Sequence, residues 1–192
     1  MSNVKVVVVY FSGYGHTRKL AEAVLAGAQG VNGAEAALVE VNATGDVTDE
    51  GWELLNKADA MLLGSPTYMG TVAWQFKKFA DASSKMWAAS AWKDKLAGGF
   101  TNSGSLNGDK HSTIAYLMTF AMQHGMVWVG TGLMPANKKD STPADINHLG
   151  AFSGLMAQSP ADASAEEAPR SGDLATAKLY GARLAEAAQR WK

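Results

Sequence analysis

Residues 6–18 have the sequence VVVVYFSGYGHTR, in which an apolar strand pattern changes into a helix pattern. Four consecutive valines are typical of a strand that is buried on both faces, as in a parallel sheet. A short loop rich in glycine and hydroxyl groups follows, and an amphipathic stretch begins near Thr17. The first turn of a helix has free backbone N–H groups and a dipole that favours anions, and glycines allow the backbone to approach closely. The stretch therefore predicts a strand–loop–helix unit that binds a phosphate.

Two known phosphate-binding motifs can be compared with this loop. The P-loop of ATPases requires a Gly-Lys pair, which occurs nowhere in the chain. The dinucleotide fingerprint requires a third glycine where this chain has Arg18, whose side chain would obstruct the packing of helix on strand. The hydroxyl groups of Ser12 and Thr17 suit a terminal phosphate monoester, and we expect that of FMN. Dinucleotide binding and a generic capped turn remain the alternatives.

The composition is that of a globular protein and excludes several classes of function. A chain of 192 residues with 47% hydrophobic content is long enough for one well-packed core, so we expect a single domain over residues 1–192. Its formal net charge of -1 gives no nucleic-acid footprint. The chain has no cysteine, which excludes disulfides, thiolate metal sites and cysteine nucleophiles. The spacing of the histidines does not suggest a metal site.

The beginning of the chain carries no pattern of a secretory signal. A basic region, an apolar core and a cleavage site do not follow one another there, and the apolar run 4–11 is too short to span a bilayer. We therefore expect a soluble cytoplasmic protein.

Apolar runs typical of strands alternate with stretches of helical periodicity. The strand patterns cover residues 4–11, 36–41, 58–64, 96–101 and 126–130, and helical spacing recurs within 17–28, 72–80, 114–121 and 174–191. This alternation predicts an α/β fold with a parallel sheet that is covered on both faces.

One connection, residues 131–172, is long and irregular. Four of the five prolines fall within it, and connections of this length inside a compact domain are usually functional or mobile. Residues 150–156 are its least polar part. We expect them either to continue the last strand or to pack against a partner.

Three loops that follow predicted strands carry small and hydrogen-bonding residues. They cover residues 12–17, 65–70 and 101–108. Open α/β sheets bind ligands at the carboxyl ends of their strands, so we expect the three loops to converge there. The second loop would place its backbone at the polar edge of a flavin ring and Tyr68 and Met69 against the ring. The third would reach flavin O2, N3 or the ribityl chain. A surface turn and a flexible loop are the competing interpretations.

Four motifs together resemble a known family. The segments YFSGYGHT (10–17) and GSPTYMG (64–70), the loop 101–108 and QHGM (123–126) occur in this order. In order and spacing the chain resembles the WrbA-type NAD(P)H:quinone oxidoreductases of the flavodoxin-like superfamily. The resemblance runs from Lys5 to Leu184.

The resemblance implies a flavodoxin-like three-layer sandwich with five parallel strands in the order 2-1-3-4-5. It also implies FMN as the cofactor, with its phosphate in the first loop, its ring against the second and further contacts from the third. The implied cofactor-binding residues are Ser12, Gly13, Tyr14, Gly15, His16, Thr17, Pro66, Thr67, Tyr68, Met69, Gly70, Thr101, Asn102, Ser103, Gly104, Asn107 and His124.

The resemblance further implies which residues meet the substrate. It places Tyr14 and His124 near the flavin and the nicotinamide or quinone, as catalytic residues, and makes Trp87 a wall of the substrate pocket. Similar proteins are tetramers, so we expect a homo-tetramer in which Trp87 faces a neighbouring subunit. Taken alone, His124 before Gly125 fits a helix C-terminus, where the dipole favours histidine and glycine caps the helix.

Two departures from the family pattern touch the ring environment. The family commonly has an Arg-Phe pair where this chain has Tyr68-Met69, and a more glycine-rich third loop. Substrate preference and redox potential are therefore the least secure of the implied properties.

These features predict an FMN-dependent enzyme that transfers two electrons from NADH or NADPH to quinones. The main alternative is a flavodoxin-type electron carrier that binds FMN but does not oxidise NAD(P)H itself. A flavin-free regulatory or scaffold protein is a third possibility.

Overall fold

The computed structural model describes residues 3–192 and has three layers, with helices on both faces of one sheet. Its elements in chain order are β1 Val4–Tyr10, α1 His16–Gln29, β2 Ala34–Glu40, α2 Asp49–Lys57, β3 Ala60–Tyr68, β4 Thr71–Val72, α3 Trp74–Ala82, α4 Ser84–Ala88, β5 Leu96–Ser103, α5 Lys110–Gln123, β6 Val127–Trp128, β7 Leu155–Gln158 and α6 Ser171–Trp191.

The sheet confirms the expected topology. Its order is β2-β1-β3-β5-β6, with every neighbouring pair parallel, which is the order 2-1-3-4-5 of a flavodoxin-like fold. Strand β7 also pairs with β5 in parallel, and the short β4 forms a hairpin with β3. The carboxyl ends of β1, β3 and β5 consequently lie side by side at one edge.

Strand β1 divides the core into two halves. Val7 and Val9 pack on the side covered by α2, α3 and α5, whereas Val6 and Val8 pack on the side covered by α1 and α6. All four side chains are buried, because successive residues of a strand point to opposite faces. The run of valines therefore holds the two helical layers against one strand.

Two short strands, and not the single strand that we expected, pair with the outer edge of β5. We expected one strand over 126–130, but only Val127–Trp128 pairs with β5 there. The same edge of β5 pairs again with Leu155–Gln158, 26 residues after β6 ends. We expected residues 150–156 either to continue the last strand or to pack against a partner. Leu155 and Met156 do continue the outer edge of the sheet, because they pair with β5 beyond β6.

Helix α2 is an element that the sequence patterns did not predict. The Thr48 hydroxyl caps it by accepting a hydrogen bond from Gly51 N (3.1 Å). Asp49 and Glu50 in the first turn and Lys57 in the last complement the helix dipole. The helix is only nine residues long and buries only Gly51 and Leu55 fully, so few apolar residues mark it in the sequence.

Helices α1 and α6 cross at unusually close range. A Cβ atom on Gly27 would overlap the backbone carbonyl of Lys178, and one on Gly181 would overlap that of Val24. Both glycines are buried. Their missing side chains let the two backbones touch, which fixes how α1 and its N-terminal loop sit on the sheet.

Within residues 3–192, none of the helices combines the length and hydropathy needed to cross a bilayer. The same residues bring together no group of three or more potential metal ligands.

We expect Gly181→Ala to destabilise the fold by about 1–3 kcal/mol, because the added methyl meets backbone that yields only if the helices separate. The better helix propensity of alanine, roughly 1 kcal/mol, opposes part of this loss. Urea denaturation monitored by far-UV circular dichroism measures the difference. Ala175→Ser, which adds one atom at an exposed position of α6, is the matched control and should change stability by less than about 0.5 kcal/mol. An unchanged midpoint for Gly181→Ala would contradict the close crossing.

Candidate functional site

The three predicted loops converge on one cavity at the carboxyl edge of the sheet. The cavity has a volume of about 530 Å³, within the usual range for small-molecule sites. It is lined by Tyr14, His16, Thr17, Pro66, Thr67, Tyr68, Asn102, Ser103, Gly104, Ser159, Pro160, Ala161 and Ala163.

The first loop presents unpaired backbone donors at the start of α1. Gly15 has φ 89°, which turns the chain into the helix without a side-chain cap. Ser12 Oγ accepts hydrogen bonds from the amides of Gly15 (3.1 Å) and Arg18 (3.2 Å) and so holds the loop closed. Among residues 3–192, no acceptor pairs with the amides of Tyr14, His16 and Thr17. With no acidic residue in the first turn, this helix end fits an anion.

The second loop is stiffer than the sequence suggested, because β3 continues to Tyr68. The Thr67 hydroxyl is buried and shares hydrogen bonds with Thr101 Oγ1 (2.8 Å) and Thr113 Oγ1 (2.7 Å), which ties β3 to β5 and α5. Only Met69 and Gly70 form the turn to β4, with φ 47° and 84°. Positive φ at both positions is the geometry of a tight hairpin turn that matches strand twist. Pro66 and Thr67 are therefore fixed at the cavity, while Met69 and Gly70 lie beyond it.

Two tyrosines form the aromatic wall of the cavity. The rings of Tyr14 and Tyr68 are 6.1 Å apart between centroids, at an interplanar angle of 70°. The Tyr68 hydroxyl lies against Gly13, where a side chain would collide with it. Burial raises the pKa of Tyr68. Tyr14 remains 79% exposed, so its hydroxyl is available at the mouth of the cavity.

The third loop is held by the last residue of β7, Gln158, and by Ser159, which follows it. Ser103 O accepts a hydrogen bond from Ser159 N (3.1 Å), Asn102 Oδ1 accepts one from Ser159 Oγ (3.0 Å), and Gly104 O accepts one from Gln158 Nε2 (3.0 Å). The end of β7 therefore determines where the third loop sits.

The segment from Ser159 to Ala163 closes one side of the cavity and reaches the first loop. His16 Nε2 hydrogen-bonds to Ala163 O at 3.0 Å. The methyl of Ala165 lies directly above Gly15. This part of the long connection belongs to the site, and the sequence analysis did not assign any of its residues to it.

The remaining sequence-predicted residues are divided between the loops and more distant places. Ser12, Gly13 and Gly15 shape the first loop, and Thr101 lies in the buried threonine cluster. Asn107 is exposed and hydrogen-bonds to the first turn of α5 through its oxygens. Trp87 and His124 do not line this cavity.

Residues 4–140 match the family model described as NADPH-dependent FMN reductase. The chain belongs to this family.

The family assignment is supported by relatives along nearly the whole chain. A protein named flavodoxin FldP, from Pseudomonas aeruginosa, is 54% identical over 96% of this chain and 97% of its own. A protein named NAD(P)H dehydrogenase (quinone), from Geobacter sulfurreducens, is 32% identical over 96% of this chain and 98% of its own. The crystal structure of a flavodoxin, WrbA-like protein from Agrobacterium tumefaciens is 46% identical, covers 98% of this chain and 99% of its own, and has a TM-score of 0.80. The WrbA-type resemblance and the flavodoxin-like fold are thus confirmed.

For a member of the FMN reductase family, the cavity has the donors that a flavin nucleotide requires. Unpaired amides and an uncompensated helix dipole at α1 suit its phosphate, and the tyrosine wall and the strand-end backbone of β3 and β5 suit its ring. Family membership accordingly indicates that the protein binds a flavin.

His124 follows the C-terminal end of α5, whereas the cavity of the three loops lies at the other end of this helix. Helix α5 starts beside the third loop and runs 14 residues, about 21 Å, back to the opposite edge of the sheet. There Gly125 O accepts a hydrogen bond from Asp94 N, just ahead of β5. Within one chain, the structure does not bring His124 to the cofactor loops.

His124 has its own small cavity with Trp87. The cavity measures about 280 Å³ and contains Ser83, Trp87 and Phe120 in its wall. His124 Nε2 hydrogen-bonds to Ser83 Oγ at 2.8 Å, and its ring lies 4.3 Å from that of Trp92 between centroids. Its Nδ1 atom is buried without a partner among residues 3–192. Burial in this apolar cage lowers the pKa of His124 and keeps the ring neutral.

We expect the wild type to lose about 1 kcal/mol more stability than His124→Gln when the pH falls from 7 to 5.5. An unfolded histidine binds a proton below about 6.5, whereas burial lowers the pKa of His124 in the fold, so acid favours the unfolded chain. Urea unfolding at both pH values measures the difference. His111→Gln, at an exposed position near the start of α5, should retain the acid sensitivity of the wild type. Equal pH dependence in wild type and His124→Gln would show that His124 is not held neutral.

Proposed function

We propose that this protein is an FMN-dependent oxidoreductase that transfers two electrons from NADH or NADPH to quinones, within one domain spanning residues 1–192. The observation that carries the proposal is the convergence of three strand-end loops on one cavity with unpaired amides at its helix end. The relatives named NAD(P)H dehydrogenase (quinone), at 31–32% identity, support the donor and the acceptor. When bound, FMN supplies the two-electron chemistry, and the protein supplies binding, orientation and access.

The residues of the cavity divide into a phosphate end and a ring end. The amides of Tyr14, His16 and Thr17 would hold the phosphate, with the α1 dipole favouring its charge. Pro66, Thr67 and the third loop would support the ring from the sheet side.

Tyr14 is the candidate donor at the open side of the cavity. It is mostly exposed there, so its hydroxyl can donate a hydrogen bond to the oxygen of a quinone as that oxygen gains charge. The neighbouring Tyr68 ring limits the positions that Tyr14 can take.

His124 and Trp87 can act on the substrate only if another subunit brings them to the cavity. The length of α5 separates them from the loops of their own chain. Trp87 is 55% exposed and lines the cavity that contains the buried His124, so the surface around Trp87 leads to His124. We therefore propose a homo-tetramer in which this surface of one subunit faces the flavin cavity of another.

An electron carrier is the second candidate function. The 54% identical relative is named a flavodoxin, and a carrier would need the same FMN cavity. The two functions differ in whether the protein oxidises a nicotinamide nucleotide without a reductase partner.

We expect the purified protein to bind FMN and, when loaded, to oxidise NADH or NADPH with benzoquinone as acceptor. Anaerobic absorbance titration with each nucleotide measures reduction, and steady-state assays measure turnover. Flavin that binds but is not reduced by either nucleotide would favour the electron carrier. Failure of the folded protein to bind FMN would exclude both functions and favour a flavin-free role.

We expect Tyr14→Phe to lower kcat with benzoquinone about tenfold at equal FMN occupancy, since one hydrogen bond of roughly 1–1.5 kcal/mol is lost from the transition state.

His124→Ala should reduce kcat/KM, and the wild-type specific activity should fall on dilution below the concentration at which the assembly dissociates. His111→Ala is the control for His124, because it is exposed near the opposite end of the same helix. Unchanged rates in both Tyr14→Phe and His124→Ala would remove these residues from the mechanism.

A further inference from the structure

Lys110, the first residue of α5, is a lysine buried beneath the third loop. Only 1% of its surface is exposed. Its ammonium group donates hydrogen bonds to Ser103 Oγ (2.9 Å), Ser105 O (2.7 Å) and Leu106 O (2.9 Å). An ammonium has three N–H donors, so all of them are used within one short loop.

The loop that Lys110 holds is otherwise open to solvent. Gly104, Ser105 and Leu106 are exposed. The hydrogen bonds from Ser159 and Gln158 hold only the part of the loop that is nearest to β5. At Ser105 and Leu106, the contacts of Lys110 and a hydrogen bond from Ser103 Oγ to Ser105 O (3.2 Å) hold the backbone.

A second lysine, Lys95, is partly buried and provides an internal comparison. Lys95 donates to Leu55 O (3.2 Å), to Asn56 O and to Ala58 O (2.7 Å) at the C-terminal end of α2. Like Lys110 it donates three hydrogen bonds, although all three go to backbone carbonyls, and it precedes β5 at the edge opposite the cavity. Burial lowers the pKa of Lys95 as well.

The charges around Lys110 come from three parts of the chain. Asp173 of α6 is the acid whose charge acts on Lys110, and its carboxylate accepts a hydrogen bond from Gln158 N (3.0 Å). His148 and Arg170 face Asp173 in turn, and Asp109 is the neighbour of Lys110 in the loop. Burial outweighs the attraction of Asp173 and lowers the pKa of Lys110 to about 8.

We propose that Lys110 is a positioning residue for the flavin, because its ammonium fixes the third loop in the conformation that receives the ring. The role rests on the proposed binding of FMN at this cavity. Lys110 does not itself line the cavity; it acts through Ser103, which does, and through the carbonyls of Ser105 and Leu106 in the same loop. A neutral amine has two N–H donors for three acceptors, so loss of the proton releases part of the loop.

The test compares Lys110→Met with Lys95→Met, two substitutions that each remove an ammonium donating three hydrogen bonds within the chain. FMN affinity is measured by quenching of flavin fluorescence at pH 7, and folding by far-UV circular dichroism. We expect Lys110→Met to weaken FMN binding about tenfold or more, as for the loss of charge-assisted hydrogen bonds, and Lys95→Met to stay within about twofold of wild type. Equal affinities in Lys110→Met and wild type, or equal losses in the two variants, would overturn the role.

The pH profile gives a second readout that does not depend on the folding of a variant. The wild-type affinity for FMN should fall as the pH rises from 7 to 9.5, with a midpoint near the pKa of about 8. In Lys110→Met this fall should disappear, while the ionisations of the flavin itself affect both proteins alike. A flat wild-type profile would overturn the role alone, whereas wild-type protein that binds no FMN at any pH would overturn the proposed function together with it.

Discussion

Burial of β1 on both of its faces is the constraint on which the rest of the molecule depends. The strand pairs with β2 on one side and β3 on the other, and its valines alternate between the two halves of the core. Because β1 is buried on both faces, it pairs with each neighbour in one register. A slip of one residue would move each of its side chains to the opposite face of the sheet. The first loop is therefore held at a fixed height beside the ends of β3 and β5, and the cavity follows from that alignment.

The central features of the fold and of the cavity at the carboxyl edge of the sheet could be predicted from local patterns. The valine run, the glycine-containing loop and the helix after Thr17 have strong signals, since each follows from backbone chemistry within a few residues. The order of strands and helices along the chain also predicts at which edge of the sheet His124 lies. A helix that follows a parallel strand runs back along it, so the C-terminus of α5 lies at the edge opposite the cofactor loops.

Other parts of the site depend on contacts between distant residues, which local patterns do not contain. His16 meets Ala163 across 147 positions of sequence, and Ser159 meets Asn102 across 57. Lys110 gives one local signal, because it occupies the apolar face that Ile114 and Leu117 continue. A lysine in such a position indicates a buried cation that has specific acceptors, and here those acceptors belong to the third loop.

The divided outer edge of the sheet has a consequence for the order in which the molecule is assembled. Strands β6 and β7 share one edge of β5 but are separated by a 26-residue excursion, whose closure costs conformational entropy before any pairing of β7 compensates for it. We therefore expect β7 to dock late during folding. Gln158 and Ser159, at the end of β7, hold the third loop in place. The cavity is therefore complete only after the remainder of the sheet has formed.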